Sequence, residues 1–175
     1  IHAGIYYPTG SLRARLCVEG KHELYRFCAR YGVTHYACSK LLVATADDQL
    51  RKLEGLHSQA IANGVDDLVV LTPTQVREIE PDVACVAALL SPSTGVVDSH
   101  GFMLALQGEA EANGAQVVLR TRVERIERTG GNSRLFRLRL GDGGEITCRR
   151  LVLSAGLHGS KLAETLEFER GYRPS

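Results

Sequence analysis

The sequence predicts a mixed helix-and-sheet protein of the α/β (α+β mixed) class, and three observations carry that prediction. Apolar residues recur at helical spacings of three and four near 12–31, 47–64 and 99–113. Short apolar runs rich in β-branched residues lie between these stretches. From residue 116 onward the period drops to two, with glycine-rich turns separating the runs, which predicts a β-meander. Composition agrees: 175 residues, 44% hydrophobic and 23% charged with a net charge of +1, suit a globular chain that buries a core. That balance gives no bulk attraction for nucleic acid.

The first helix is expected over 12–31. Leu12, Leu16, Gly20, Leu24, Phe27 and Tyr31 form its apolar stripe, Ser11 caps its start and Gly32 closes it. Residues 38–46 read as a short strand, followed by a helix that begins at Asp47 and Asp48 and ends at Gly64. A brief apolar run at 68–71 then meets Thr72-Pro73-Thr74-Gln75, where Thr72 can cap, Pro73 suits the first helical position and Gln75 can reach back. Residues 85–91 read as a buried strand, and a turn over 91–95 leads to a helix over 99–113, with Asp98 and His100 as turn and capping groups. Strands are expected at 117–119, 123–128, 135–140 and 145–149, with Gly130-Gly131-Asn132 and residues 141–144 as hairpin turns. Phe136, Leu138 and Leu140 alternate with Arg137 and Arg139, giving the meander one wet face. The chain closes with a buried strand at 151–154, the small residues Ala155 and Gly156, and a helix over 158–166.

Chemistry-bearing residues concentrate at the start. In an extended segment His2, Gly4 and Tyr6 share one face while Ala3, Ile5 and Tyr7 share the other. A histidine near neutral pKa can take a proton from a hydroxyl, and a tyrosine can orient a carboxylate. Spacing alone leaves open whether His2 and Tyr6 are pocket groups or packing and surface groups. Lys40 interrupts an apolar strand, a place kept for solvent or for an anionic partner. Arg13 and Arg15 stand at a helix start, where cations oppose the dipole unless an anion is near. The two glycine clusters of the meander join strand to strand, so they are hairpins and not phosphate loops. The junction at 151–159 differs, because an apolar strand there ends in small residues before a helix and a ligand can come close. Five unpaired cysteines without CxxC spacing fit a reducing compartment and buried, disulfide-free positions. His22, His35 and His57 read as exposed residues without partners, and no metal-ligand set is expected.

The blocks IHAGIYYPTGSLRARLCVEG, CSKLLVAT, SPSTGVVDSHGFMLAL and LVLSAGLHG, in that order, resemble the L-2-hydroxyglutarate dehydrogenase/oxidase group of FAD-dependent oxidoreductases, within the D-amino-acid-oxidase-like superfamily. The resemblance implies a substrate domain built on a mixed β-sheet with flanking helices, covering mostly residues 1–99. Residues 100–175 would then be part of an FAD-binding Rossmann-like domain. It implies FAD as cofactor, with His2 and Gly4 near the isoalloxazine ring, the backbone of Val123 at the adenine, and Ala155 and Gly156 beside the dinucleotide. The implied reaction oxidises a 2-hydroxy acid of the L-2-hydroxyglutarate type to the 2-oxo acid by hydride transfer to flavin. His2 is the candidate base or polarising group, and Tyr6 and Lys40 are the carboxylate partners.

Electrons would pass to oxygen or to a quinone. The expected location is cytoplasmic, with any membrane association made through that acceptor. Other readings stay open at this point: an amino-acid oxidase or glycerol-3-phosphate dehydrogenase of the same superfamily, or a catalytically inactive truncated domain. The chain opens on Ile1 and contains no strand-GxGxxG-helix unit, which predicts an internal fragment of a longer protein. Sheet edges left uncovered in such a fragment predict self-association.

Overall fold

The computed structural model describes residues 1–129 and 135–166. The chain divides into two compact units, Ile1–Ala115 and Gln116–Ser175.

The first unit begins with an irregular segment and then helix α1, Leu12–Tyr31. Ser11 caps α1 by accepting from Ala14 N–H, and Gly32 closes it in the left-handed conformation. The buried line of α1 is Ala14, Lys21 and Cys28, not the expected leucine stripe. Leu12 and Leu16 are exposed. Phe27 and Tyr31 are half-buried, and the Phe27 ring packs edge-on against Phe102 with centroids 5.4 Å apart. The stripe was misplaced because heptad neighbours at 14, 21 and 28 include a lysine, which apolar counting skips.

Strand β1 (His35–Tyr36) pairs antiparallel with β5 (Val96–Val97). The main sheet of the unit has the order β2-β4-β3, from Leu41–Ala44, Ala87–Leu90 and Val69–Leu71. Its pairings are antiparallel, with Leu42 opposite Leu89 and Val70 opposite Leu89 on the other side. A 3-10 turn at Asp47–Gln49 leads into α2, Leu50–Ala62. Ala3 and Ile5 from the opening segment fill the core with Leu42, Ala44, Leu53, Ala60, Val65 and Leu89. The opposite sheet face carries Ala88 and Leu71, covered by Val76 of α3, Pro73–Ile79. The capping box of α3 forms as expected, Thr72 and Gln75 bonding each other's backbone. Helix α4, Ser99–Ala112, is capped by Asp98, which accepts from His100 and Gly101 N–H.

The second unit is a β6-β7-β8 meander of Val123–Arg128, Phe136–Leu140 and Glu145–Cys148, all antiparallel. The expected turn at Gly130-Gly131-Asn132 lies outside the described residues. Glu127 and Glu145 pair with Arg137 and Arg139 across the wet face. Thr165 both donates to the Ile126 carbonyl and accepts from its N–H, which ties the segment after helix α5 (Gly159–Ala163) to the edge strand β6.

Two expected strands do not form. Residues 117–119 and 151–154 have no paired strand among the described residues, and Val118, Leu119 and Val152 are 61%, 77% and 85% exposed. β-Propensity alone does not make a strand, since the ladder bonds need a neighbour. The closing helix is correspondingly short, preceded by a 3-10 turn at Gly156–His158 that leaves Leu157 fully exposed. Of the cysteines, all free, Cys28 is buried and Cys38 is exposed against expectation. The exposed apolar groups at 117–119 and 152–157 predict concentration-dependent self-association in size-exclusion chromatography, weakened in a Val152→Lys, Leu157→Glu variant. A single monomeric peak at all concentrations contradicts it.

Candidate functional site

Residues 1–7 have no ladder of their own, so their backbone carbonyls depend on side chains for partners. The last turn of α2 supplies them. Gln59 Nε2 donates to the Ile5 and Tyr7 carbonyls at 3.3 and 2.8 Å, and Asn63 Nδ2 donates to those of Gly4 and Tyr7 at 3.1 and 2.9 Å. With Ala3 and Ile5 wholly buried, His2 and Tyr6 are left pointing outward. The segment bends at Gly4, whose φ of +97° is open to glycine. A Cβ there would stand 2.8 Å from Val18 Cγ2. The bend breaks the expected alternation, and Tyr7 stacks on the His2 ring with centroids 5.3 Å apart instead of facing away. Tyr6 meets His2 edge-on at 5.9 Å.

Lys40 reaches the same place from a separate part of the chain. Its Nζ lies 4.6 Å from the Tyr6 ring centroid. It stands one residue before β2, where Lys40 and Ser91 exchange backbone hydrogen bonds at 3.1 and 2.9 Å. Ser39 just before it adopts φ +59°, a conformation costing a non-glycine residue roughly 1–3 kcal/mol. Among the described residues no carboxylate pairs with Lys40. Burial, then the Lys40 charge, then the terminal amino group hold the His2 imidazole below its ordinary value of 6.5. The structure therefore brings His2, Gly4, Tyr6 and Lys40 together.

The loop behind them was not anticipated. Lys21, 4% exposed, donates to Ser93 Oγ at 2.7 Å, Tyr25 Oη donates to the Ser93 carbonyl at 3.1 Å, and Ser93 N–H donates to Asp67 at 3.0 Å. Burial first, then Cys38 and Asp67, push the Tyr25 hydroxyl pKa up. Gly95 closes the loop by exchanging backbone bonds with Ile1. A Cβ on Gly95 would collide with Tyr25 and the Tyr36 carbonyl. No local signal marks Lys21 as buried, since a lysine on a helix reads as solvent-facing. His35 is also not partnerless: its Nδ1 bonds the Val33 carbonyl at 2.7 Å and its ring packs on Tyr25.

In the second unit Val123 and Ala155 line one cavity of about 970 Å³ with Leu138 and Leu151, and His158 and Lys161 add basic groups to its wall. Gly156 stands beside this lining, with open space over its Cα.

The sequence profile described as FAD dependent oxidoreductase matches residues 1–174. The chain belongs to the FAD-dependent oxidoreductase family. It is 40% identical over 147 residues to the mitochondrial L-2-hydroxyglutarate dehydrogenase of Arabidopsis thaliana, covering 71% of this chain and 30% of that protein. To the human mitochondrial enzyme of the same name it is 30% identical, covering 94% of this chain and 37% of that one. The Escherichia coli (strain K12) L-2-hydroxyglutarate dehydrogenase is 30% identical, with 98% and 40% covered. The chain thus spans two fifths or less of the length of these curated relatives. L-alpha-glycerophosphate oxidase from Mycoplasma pneumoniae, solved with FAD bound, superposes with a TM-score of 0.82 at 22% identity, covering 94% of this chain and 44% of that chain. L-proline dehydrogenase from P. horikoshii gives 0.78 at 17% identity, covering 90% and 42%. These likenesses establish the flavoenzyme fold. Two of the three relatives are named mitochondrial, so the expected cytoplasmic location draws no support from them. Among the described residues no helix is long and apolar enough to cross a membrane.

Gly4→Ala is expected to destabilise the protein by about 1–3 kcal/mol in chemical denaturation, through positive φ and the clash with Val18. Adding Val18→Ala should recover the clash part only. The depressed His2 pKa sets the sign of a pH effect: below 6.5 the unfolded chain binds a proton that the folded chain refuses. Stability from this group therefore rises with pH through the window between the folded value and 6.5, and is lost on acidification. Denaturation midpoints across that window, compared with His2→Gln, measure it.

Proposed function

We propose that this chain forms the substrate-holding part, and a share of the flavin site, of an enzyme that oxidises a 2-hydroxy dicarboxylate of the L-2-hydroxyglutarate type to the 2-oxo acid. In this reading residues 1–99 mostly serve the substrate and residues 100–175 serve FAD. The observation that carries it is Lys40, a cation with no acidic partner among the described residues, seated on the Tyr6 ring beside an imidazole whose pKa is lowered. Such a group is completed by a carboxylate. The names of the relatives at 30–40% identity supply the substrate class.

The second-unit cavity fits the other half of the reading. Apolar walls at Val123, Leu138 and Leu151 suit an adenine, the open backbone at Ala155 and Gly156 allows close approach, and His158 and Lys161 suit phosphate charge. FAD, when bound, supplies the two-electron acceptor. The chain's own residues do the rest: Lys40 neutralises and fixes a substrate carboxylate, the Tyr6 face steadies the ammonium, and His2 addresses the oxygen on the reacting carbon. The electron acceptor in this reading is oxygen or a quinone, the latter implying association with a membrane surface.

The test loads the purified protein with FAD and follows the visible flavin absorbance anaerobically. Bleaching by L-2-hydroxyglutarate, and not by glycine, L-proline or glycerol 3-phosphate, is the expected result. Bleaching by an amine or by glycerol phosphate, and not by L-2-hydroxyglutarate, overturns the reading. Lys40→Met should lower kcat/KM by about 10–100-fold, mostly through KM, with Lys40→Arg losing less.

A further inference from the structure

We infer that His2 works as a neutral hydrogen-bond donor, presenting Nε2–H to the substrate oxygen, and does not accept the substrate's hydroxyl proton. The substrate part of this inference rests on the function proposed above, whereas the position of the imidazole proton does not.

The argument starts from three consecutive residues, His2, Ala3 and Gly4. Ala3 is wholly buried and fixes the chain on both sides of itself. Gly4 at φ +97°, its carbonyl held by Asn63, turns its N–H back toward the histidine. That N–H donates to His2 Nδ1 at 3.1 Å. A backbone N–H can only donate, so Nδ1 must keep its lone pair, and the single proton of the neutral ring sits on Nε2. Base chemistry at Nε2 needs an empty nitrogen there, and this arrangement fills it. Protonating the ring instead would set an Nδ1–H against the Gly4 N–H, donor facing donor.

The groups around the ring act in the same direction. From its own segment Tyr6 meets it edge-on and Tyr7 covers one face. From the residue before β2 comes the Lys40 ammonium, and among the described residues no carboxylate pairs with His2 to favour an imidazolium. An N–H aimed at the oxygen of the reacting carbon holds that oxygen while the hydroxyl proton leaves to the water that reaches the exposed His2, and the hydride on carbon would go to FAD when it is bound.

Long-range proton–nitrogen correlation spectra of the protein labelled with ¹⁵N-histidine read the tautomer directly, without flavin or substrate, and His2→Gln identifies the His2 signals by their loss. The expected result is an unprotonated Nδ1 and a protonated Nε2 at neutral pH, with titration only below 6.5. A protonated Nδ1, or titration at or above 6.5, overturns the inference. In turnover, the amide N–H of His2→Gln stands in for Nε2–H, so that variant should stay within about tenfold of the parent while His2→Ala loses about 10–100-fold. Equal loss in both variants overturns the donor role. A protonated Nε2 in a protein that oxidises no hydroxy acid defeats the proposed function alone, and a protonated Nδ1 in an active one defeats this inference alone.

Discussion

An irregular segment can hold reactive side chains in place only when its backbone polar groups are satisfied, and in this protein two carboxamides at the end of α2 satisfy them. Asn63 and Gln59 together bind the carbonyls of Gly4, Ile5 and Tyr7. Each bond is worth about 0.5–1.5 kcal/mol net, but a buried carbonyl left open costs more than that, so the pair acts as a constraint and not as a convenience. Ala3 and Ile5 bury beneath these bonds, and the bend at Gly4 follows from having both at once. The orientation of His2 and Tyr6 is the residue of that packing problem.

Lys40 depends on a second anchor that shares a loop with the first. Ser93 is held at three atoms, by Lys21, Tyr25 and Asp67, in a place where Lys21 has little access to water. From that fixed point the chain runs back to Ser91, which pairs with Lys40, and forward to Gly95, which pairs with Ile1. One buried polar cluster therefore sets the positions of both sides of the site. A fully satisfied polar network rigidifies its surroundings. Two buried oxygens, Asp67 Oδ1 in this cluster and Asn63 Oδ1 in the first anchor, have no hydrogen-bond partner among the described residues.

Elements with local signals were legible in the sequence: α1 with Ser11 and Gly32 at its ends, the capping box of α3, the Asp98 cap of α4 and the meander from its period of two. The juxtaposition of His2, Tyr6 and Lys40 was carried by resemblance, because it is made by contacts across more than thirty residues that spacing does not encode. Gln59, Asn63, Lys21 and Ser93 escaped for the opposite reason. Polar residues on a helix read as solvent-facing until the irregular segment that needs their hydrogen bonds is known. The stripe of α1 failed similarly, since its buried line passes through a lysine.

The two runs at 117–119 and 151–154 show where local preference stops being informative. Their composition is that of buried strands, yet Val118, Leu119 and Val152 face solvent. By contrast β6, with alternate charged residues and a weaker apolar pattern, is ordered because β7 lies beside it with Ile126 opposite Leu138. Strand formation is a property of pairs. The glycerophosphate oxidase likeness covers 44% of that protein's chain, so more than half of that fold has no counterpart among these residues. The same contrast separates the two halves of the proposed function: the proposed substrate site is held by bonds within residues 1–95, whereas the cavity at Val123 and Ala155 borders on a run with no paired strand among the described residues.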